Sequence, residues 1–496
     1  MAVVGAAVIL LVTLLLPLGF DNDLYESMAW TLYAYHGLPY LSSWDHNFPG
    51  IVFIHWASIA LFGASDFGFR LFDYLVHIAM AAVYYRFLRN WLSPRASLLA
   101  VLLFALYYAS GQWGLAGQRD TYAAFLLLGA ASLFQVMKRK SGANGGRSVC
   151  IGILCGAAFL VRPTYVFFAV SFLILLWIES RKPRIVALYL AGCVVPIIAF
   201  LLPYVFIPNG LSQVYDTLIR FNLEVYASVS IPVNLWSGGR ALIYPFAGVG
   251  VIFALRPSRP DHFSRETIMF LLFTACALIS PIMMGKYFSY HFEPFLLIAI
   301  GLAALGFMRL AEMIPNRTLQ NATVILALAI FALLYYPRHL FRYYFEASNT
   351  NLSPIEATYE RVLSDSLYGL AAQRAVINYV DARSAPRDPI EYVSIFPGMR
   401  WRLHRPAATR FTSIVPLIAY QRRIPAFGAE WRREFLGSLE TVRPHIIIVS
   451  QSNRWWPFVG KTNDNAIASI PGLDSLLAAN YVCDTLIGGY MLYHIR

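Results

Sequence analysis

Apolar residues run almost unbroken from Ala2 to Leu18, and comparable runs recur at 67–85, 96–110, 120–137, 148–161, 164–178, 185–207, 236–255, 266–284, 292–308 and 319–336. Short polar connections separate them. The runs lack the two-residue alternation of a barrel, so they predict membrane-crossing helices, about eleven in all. The first run has neither a basic leading region nor a small-x-small cleavage site, and it reads as a span rather than a signal peptide.

The charges between these runs orient them. Arg86, Arg89 and Arg95; Lys138, Arg139, Lys140 and Arg147; Arg181, Lys182 and Arg184; Arg256, Arg259 and Arg265; and Arg309 with Arg317 fall in alternate connections, whereas residues 20–69 hold no Lys or Arg. By the positive-inside rule the basic connections are cytoplasmic. Residues 20–66 and the tail from about 340 then lie outside, in a bacterial inner membrane. The apolar stretch Phe48 to Gly63 is short and carries His55. Counting it as a span would upset the charge alternation, so it is expected to lie in the plane of the membrane or to re-enter it.

From Phe341 the pattern changes, with mixed charges and short strand-like runs alternating with helical ones. "PIEYVSIF" and "HIIIVS" predict strands; Ile355 to Val380 and Trp431 to Thr441 predict helices. The expectation is a mainly α protein: a polytopic membrane domain over 1–340 with amphipathic external helices, and a small α/β extracytoplasmic domain over 341–496. Composition agrees. Of the 496 residues 58% are hydrophobic and 13% charged, against about 25% charged in soluble domains. The net charge of +12 is scattered between spans, which favours anionic lipid over nucleic acid as a partner. The five cysteines form no disulfide framework and no metal-ligand spacing.

Chemistry concentrates in the first external loop. "GFDNDLYES" places Asp21, Asp23 and Glu26 just beyond the first span. Leu24, Tyr25, Met28, Ala29, Leu32 and Tyr33 fall on one helical stripe, predicting a surface helix that ends near Gly37. Asp23 with Glu26 fits a capping arrangement. Asp21 has no such task and is the candidate general base, although both acids could be solvated caps. "GLPYLSSWDHNFPG" follows, with Asp45 and His46 beside Trp44. Residues 210–228 carry Leu211, Val214, Leu218, Phe221 and Val225 at helical spacing, a second surface helix.

The ordered set of an acid after span one, an amphipathic helix, G-x-P-Y, W-D-x, Pro-Gly and then "LFGASDFGFRL" resembles the polytopic GT-C class of glycosyltransferases, nearest the protein-mannosyltransferase and lipid A aminoarabinose-transferase group. The likeness spans most of residues 1–340. It implies an inverting transfer of a sugar from a polyprenyl-phosphate carrier to a glycan, lipid or protein acceptor. An external carboxylate would take or orient the acceptor proton, and cations would stabilise the departing phosphate. Where the family has Lys-Pro-Pro, this chain has Asn47-Phe48-Pro49, leaving His46 as the nearest substitute for the lysine.

The resemblance also implies roles for residues at other external span ends. Asp120, in "GQRDTY", matches a second acceptor-side acid, or else caps its helix. Arg162, in "VRPTY", is a donor-phosphate ligand or a snorkelling arginine. Lys286 and Tyr287, followed by Tyr290 and His291 in "GKYFSYHFEP", match a phosphate-binding set or an interfacial anchor. Arg240 is a further donor contact. No metal ligand set is assigned, although Asp21 and Asp23 could bind a divalent cation. No nucleotide-binding motif is present. A lipid-linked saccharide flippase, or a polysaccharide polymerase or ligase, is the competing class. A transporter would bury charges mid-span, whereas here the unusual charges gather at one face.

Overall fold

Each apolar window of the sequence is occupied by helix. The computed structural model describes residues 1–111, 116–139, 145–228, 240–255, 265–347, 353–363, 369–418, 425–451 and 466–496. Among these, six segments are long and apolar enough to cross a membrane: Asp66–Leu88, Arg119–Met137, Pro163–Ser180, Pro183–Val205, Tyr290–Glu312 and Arg317–Tyr335. Ala2–Leu15 and Phe20–Tyr35 meet at 82° and would add a seventh if taken as one broken span. The remaining windows hold shorter apolar helices, Pro94–Ser110, Gly145–Val161, Ile243–Ala254 and Met269–Met284. Gly50–Phe62, the stretch assigned to the external loop, is another. Length and composition alone therefore qualify six or seven spans, against about eleven expected.

The chain separates into two units. The first comprises Met1–Leu14, Arg70–Pro203 and Ser230–Leu340 and is a helical bundle. Its outward faces are apolar. Leu190, Val194, Ile198 and Leu202, one turn apart along one helix, are each about half exposed. Such a stripe is a surface for lipid rather than water. Inside the bundle, Gly152 and Gly156 bring helix Gly145–Val161 against helix Pro183–Val205. A Cβ at Gly152 would run into the carbonyl of Tyr189, and one at Gly156 into that of Cys193. In a membrane, where hydrophobicity does not drive helices together, such backbone contact is a main source of association.

The second unit comprises Leu15–Phe69, Tyr204–Val229 and Phe341–Arg496. It holds a four-stranded sheet of order β1-β2-β4-β3: β1 Ile390–Val393, β2 Ile446–Ser450, β3 Tyr481–Ile487 and β4 Tyr490–Ile495. β1 and β2 are parallel, and the other pairs are antiparallel. Both expected strands are present. The hairpin β3–β4 was not anticipated; its turn is Gly488-Gly489, both at positive φ, a hairpin signal available in the sequence. Alternate residues of β2 feed two cores. Ile447 and Val449 pack with Phe411, Trp431 and Phe435, and Ile446 and Ile448 with Val376, Tyr392 and Leu492. The first core includes Trp44, Phe221 and Val225, so the 39–47 loop and the second surface helix are built into this unit. Trp44 N–H donates to the Arg410 carbonyl at 2.6 Å. The helix expected over 355–380 is two helices, Pro354–Leu363 and Leu370–Asp381.

Leucine at Gly156 must push helix Pro183–Val205 away. We expect Gly156→Leu to cost about 1–3 kcal/mol, the usual range for overpacking, read as a fall in the midpoint of thermal unfolding in detergent. An unchanged midpoint would mean that the two backbones do not touch.

Candidate functional site

In the first unit the site is assembled around Asp120. Helix Arg119–Arg139 starts after the turn Ala116–Gln118 and carries Asp120 in its first turn. Arg162 precedes Pro163, which holds it extended (φ −149°, ψ 108°) ahead of the 3-10 turn Pro163–Tyr165. That turn aims two side chains at one carboxylate. Arg162 Nη1 donates to Asp120 Oδ2 at 2.8 Å, and Tyr165 OH donates to Oδ1 at 3.0 Å. All three are buried. Arg162 Nη2 lies 2.7 Å from the Met284 sulfur. The Met284 carbonyl accepts from Lys286 Nζ at 3.2 Å, so Met284 brings Arg162 and Lys286 to one place.

Lys286 is buried. Burial first, then repulsion by Arg162 and Arg119, pulls its ammonium down to about 8. His291 Nδ1 donates to the Lys286 carbonyl, which makes Nε2 the lone-pair nitrogen in the neutral ring. Nε2 and Arg162 Nε are buried with no hydrogen-bond partner among the described residues. Tyr107 OH donates to Glu293 Oε1 at 3.2 Å. The structure thus brings together four residues singled out in the sequence, Asp120, Arg162, Lys286 and His291, and adds Arg119, Tyr165 and Glu293. Tyr290 packs edge-on against His291. Tyr287 stacks on Phe292. Arg240 opens helix Arg240–Leu255, and its side chain lies outside the described set.

Tyr287 also lines an apolar cavity of about 1440 Å³ in the same unit. Phe168, Tyr244, Phe270 and Phe295 contribute to its walls, which continue to Leu305 and Arg309. From Phe292 to Arg309 along helix Glu293–Glu312 is roughly 25 Å at 1.5 Å per residue, close to the depth of a bilayer core.

In the second unit the acids that follow the first apolar run have different tasks. Helix Phe20–Tyr35 has Gly19 as its N-cap and no side-chain cap. The capping arrangement expected of Asp23 and Glu26 is therefore not formed. Each is used to hold another segment. Asp23 Oδ1 accepts from Trp401 Nε1 and from Arg402 Nη1, both at 2.9 Å. Arg402 also reaches Asp66 Oδ1 at 2.7 Å, and that oxygen accepts the Leu18 N–H at 2.9 Å. Gly398 leaves room for this: a Cβ there would sit 2.8 Å from Asp23 Oδ2. Glu26 and His55, both fully buried, meet at 2.6 Å. Asp21 is half-buried in the first turn, where the helix dipole favours the anion.

Asp45 is buried and accepts from Asn47 Nδ2 at 2.8 Å, with His46 Nδ1 at 3.1 Å. The His46 ring packs on Tyr226, and its carbonyl accepts from Asn222 Nδ2 at 2.8 Å. Among the described residues no three His, Cys, Asp or Glu side chains cluster as metal ligands.

The family model for dolichyl-phosphate-mannose-protein mannosyltransferases matches residues 45–206. No curated protein matches the sequence as a whole. Among solved structures, ArnT from Cupriavidus metallidurans bound to undecaprenyl phosphate aligns over 99% of this chain and 97% of its own, with a TM-score of 0.61 at 15% identity. The apo form of that protein gives 0.59 at 14% identity, over 99% and 96%. The Archaeoglobus fulgidus oligosaccharyltransferase tethered to an acceptor peptide gives 0.52 at 13% identity, over 100% of this chain and 74% of its own. The chain resembles the GT-C membrane glycosyltransferases in its sequence over 45–206 and in its fold over nearly its whole length.

Asp23→Asn removes one charge from a buried ion pair while leaving Arg402 its bond to Asp66. Breaking such a pair costs about 3 kcal/mol, so we expect a marked loss of thermal stability, and a further loss when Arg402→Met is added, because Asp66 then loses its cation too. Wild-type stability in Asp23→Asn would show that Asp23 does not anchor the tail.

Proposed function

We propose that this chain is an inverting glycosyltransferase of the extracytoplasmic membrane face, taking its sugar from a polyprenyl-phosphate carrier. The observation that carries this reading is that the buried Arg162 and Lys286 and the partly buried Arg119 gather around Asp120, in the same unit as a large apolar cavity that Tyr287 also lines. A lipid phosphate needs both. Asp120, held by Arg162 and Tyr165, orients the guanidinium. Asp21 is the group we assign to the acceptor. Its carboxylate takes the proton as the acceptor oxygen bonds to the anomeric carbon. As that bond forms, the carbon–oxygen bond to the phosphate breaks on the opposite face, with its electron pair going to the phosphate oxygen. Lys286 and Arg162 are the cations we assign to that growing charge, where they would stabilise the transition state more than the bound donor. His46, Asp45, Tyr287, Tyr290 and Arg240 complete the assignment as donor and acceptor contacts. The acceptor is a hydroxyl of lipid A, a polysaccharide or a protein.

Lys286→Ala and Arg162→Ala should each lower kcat about ten- to a hundredfold, the worth of one charge-assisted contact, with little change in donor KM. Asp21→Asn should abolish transfer while donor still binds. The assay is steady-state kinetics with a short-chain polyprenyl-phosphate sugar, its sugar chosen by mass spectrometry of envelope glycans and lipid A from a deletion strain. Wild-type turnover in either cation variant would remove the phosphate site. Because Lys286 titrates near 8, affinity for undecaprenyl phosphate should be steady just below that pH and fall as the pH rises through it. Lys286→Arg should move the fall to higher pH.

Sidedness has its own test. Cys483 is exposed in the tail. A membrane-impermeant maleimide should modify it in intact spheroplasts of a strain whose other four cysteines are serine. Labelling only after permeabilisation would place the tail inside.

A further inference from the structure

Helix Asp66–Leu88 buries Arg70, Asp73 and His77 completely. Spacings of three and four residues put them on one face. These are charges within a helix, where the sequence led us to expect none, and burying them costs several kcal/mol unless partners offset it. The partners converge on Asp73. Tyr108 OH lies 3.0 and 2.9 Å from its two carboxylate oxygens, and Tyr122 OH donates to Oδ1 at 2.7 Å. His77 Nδ1 lies 3.2 Å from Oδ1 and 2.7 Å from the Asp73 carbonyl. Arg70 Nη1 is 3.9 Å from Oδ2.

Two members of the cluster also grip one peptide group. Arg70 Nη1 donates to the Ala116 carbonyl at 3.0 Å, and the Gly117 N–H donates to Tyr108 OH at 2.7 Å. The carbonyl and the N–H belong to the same bond, Ala116–Gly117. Gly117 then turns at φ +80°, and helix Arg119–Arg139 begins two residues later. Tyr122 ties the first turn of that helix back to Asp73. Three contacts therefore fix the place where Asp120 leaves the backbone to meet Arg162 and Tyr165.

We infer that Asp73 is a positioning residue for binding the carrier phosphate in its released, fully charged form, acting through Arg70, Tyr108 and Tyr122 to set Asp120 and, through it, Arg162. The inference rests on the phosphate reading above. A flippase would use mid-helix charges by exposing them along a path. Here each is joined to the others and to the segment that leads into Asp120, which is the arrangement of a fastening.

The test measures the Kd of undecaprenyl phosphate for the full chain in nanodiscs by native mass spectrometry. Asp73→Asn should raise Kd at least fivefold, and Tyr122→Phe, which removes one hydroxyl and little packing, about two- to threefold. Asp120→Asn should raise it as well, and Asp73→Asn/Asp120→Asn should be no worse than Asp120→Asn within a factor of two, because one acts through the other. Phe435→Ala, a core truncation in the second unit, should lower thermal stability and leave Kd alone, separating positioning from general loosening. Wild-type Kd in both Asp73→Asn and Tyr122→Phe, with Lys286→Ala still losing affinity, would overturn the positioning role alone. So would additive effects in the double variant. Wild-type Kd in both Lys286→Ala and Arg162→Ala would overturn the phosphate reading and this inference with it.

Discussion

A carboxylate withdrawn from water has to be met by a cation or by oriented hydroxyl and N–H groups, and this requirement organises both units. Its alternative, an unpaired charge at low dielectric, costs more than most single contacts return. Several buried acids here accordingly draw in another segment. Asp120 gathers the "VRPTY" turn. Asp73 gathers two tyrosines and, through one of them, a peptide group. Asp23 and Asp66 share Arg402 and so fasten residues 398–402 to the first external loop. Glu391 does the same inside the tail, where it meets Arg400 at 2.8 Å and the Thr409 N–H at 2.8 Å.

The same requirement run in reverse marks the site. Around Asp120 stand Arg119, Arg162 and Lys286, and burial first, then the two arginines, pulls the Lys286 ammonium down to about 8. On the proposed reading, cations assembled before a phosphate arrives need no reorganisation when it leaves. Fixed partners matter for this. Arg162 is bonded to Asp120 and Lys286 to the Met284 carbonyl.

How much of this was legible in the sequence follows from the range of each interaction. The apolar windows, β1 and β2 are local patterns, and they were readable; the helix expected on the surface after the first span is present but buried from Asn22 to Ala29, and the one over 210–228 is broken into short pieces. The span-end residues Asp120, Arg162, Lys286 and His291 were also readable as a set, because cations in outward loops violate a strong compositional trend and the family likeness supplied an order. What failed was pairing across long separations. Nothing near Asp23 in the sequence points to Arg402, one of many arginines in a mixed-charge tail. The D-x-x-E pattern suggested a cap because it is local, while the observed partners are 378 and 379 residues away. The Arg70–Asp73–His77 face was missed because each residue alone is compatible with a helix end, and only Tyr108 and Tyr122, from two other helices, turn the three into a hub.

The pairing of Asp23 changes how the two neighbouring acids compare. Had Asp23 capped its helix, it and Asp21 would differ only in degree, both being first-turn anions beside free N–H groups. With both the Trp401 indole and the Arg402 guanidinium on its Oδ1, Asp23 accepts two donors, and its loss of charge would leave Arg402 with Asp66 alone. A base must be able to take a proton and give it up within one turnover. Asp21 keeps partial exposure on the same helical turn, and the bonds that immobilise Asp23 also immobilise the backbone from which Asp21 projects. On the proposed reading, in which Asp21 is the base, its placement thus depends on a neighbour engaged elsewhere.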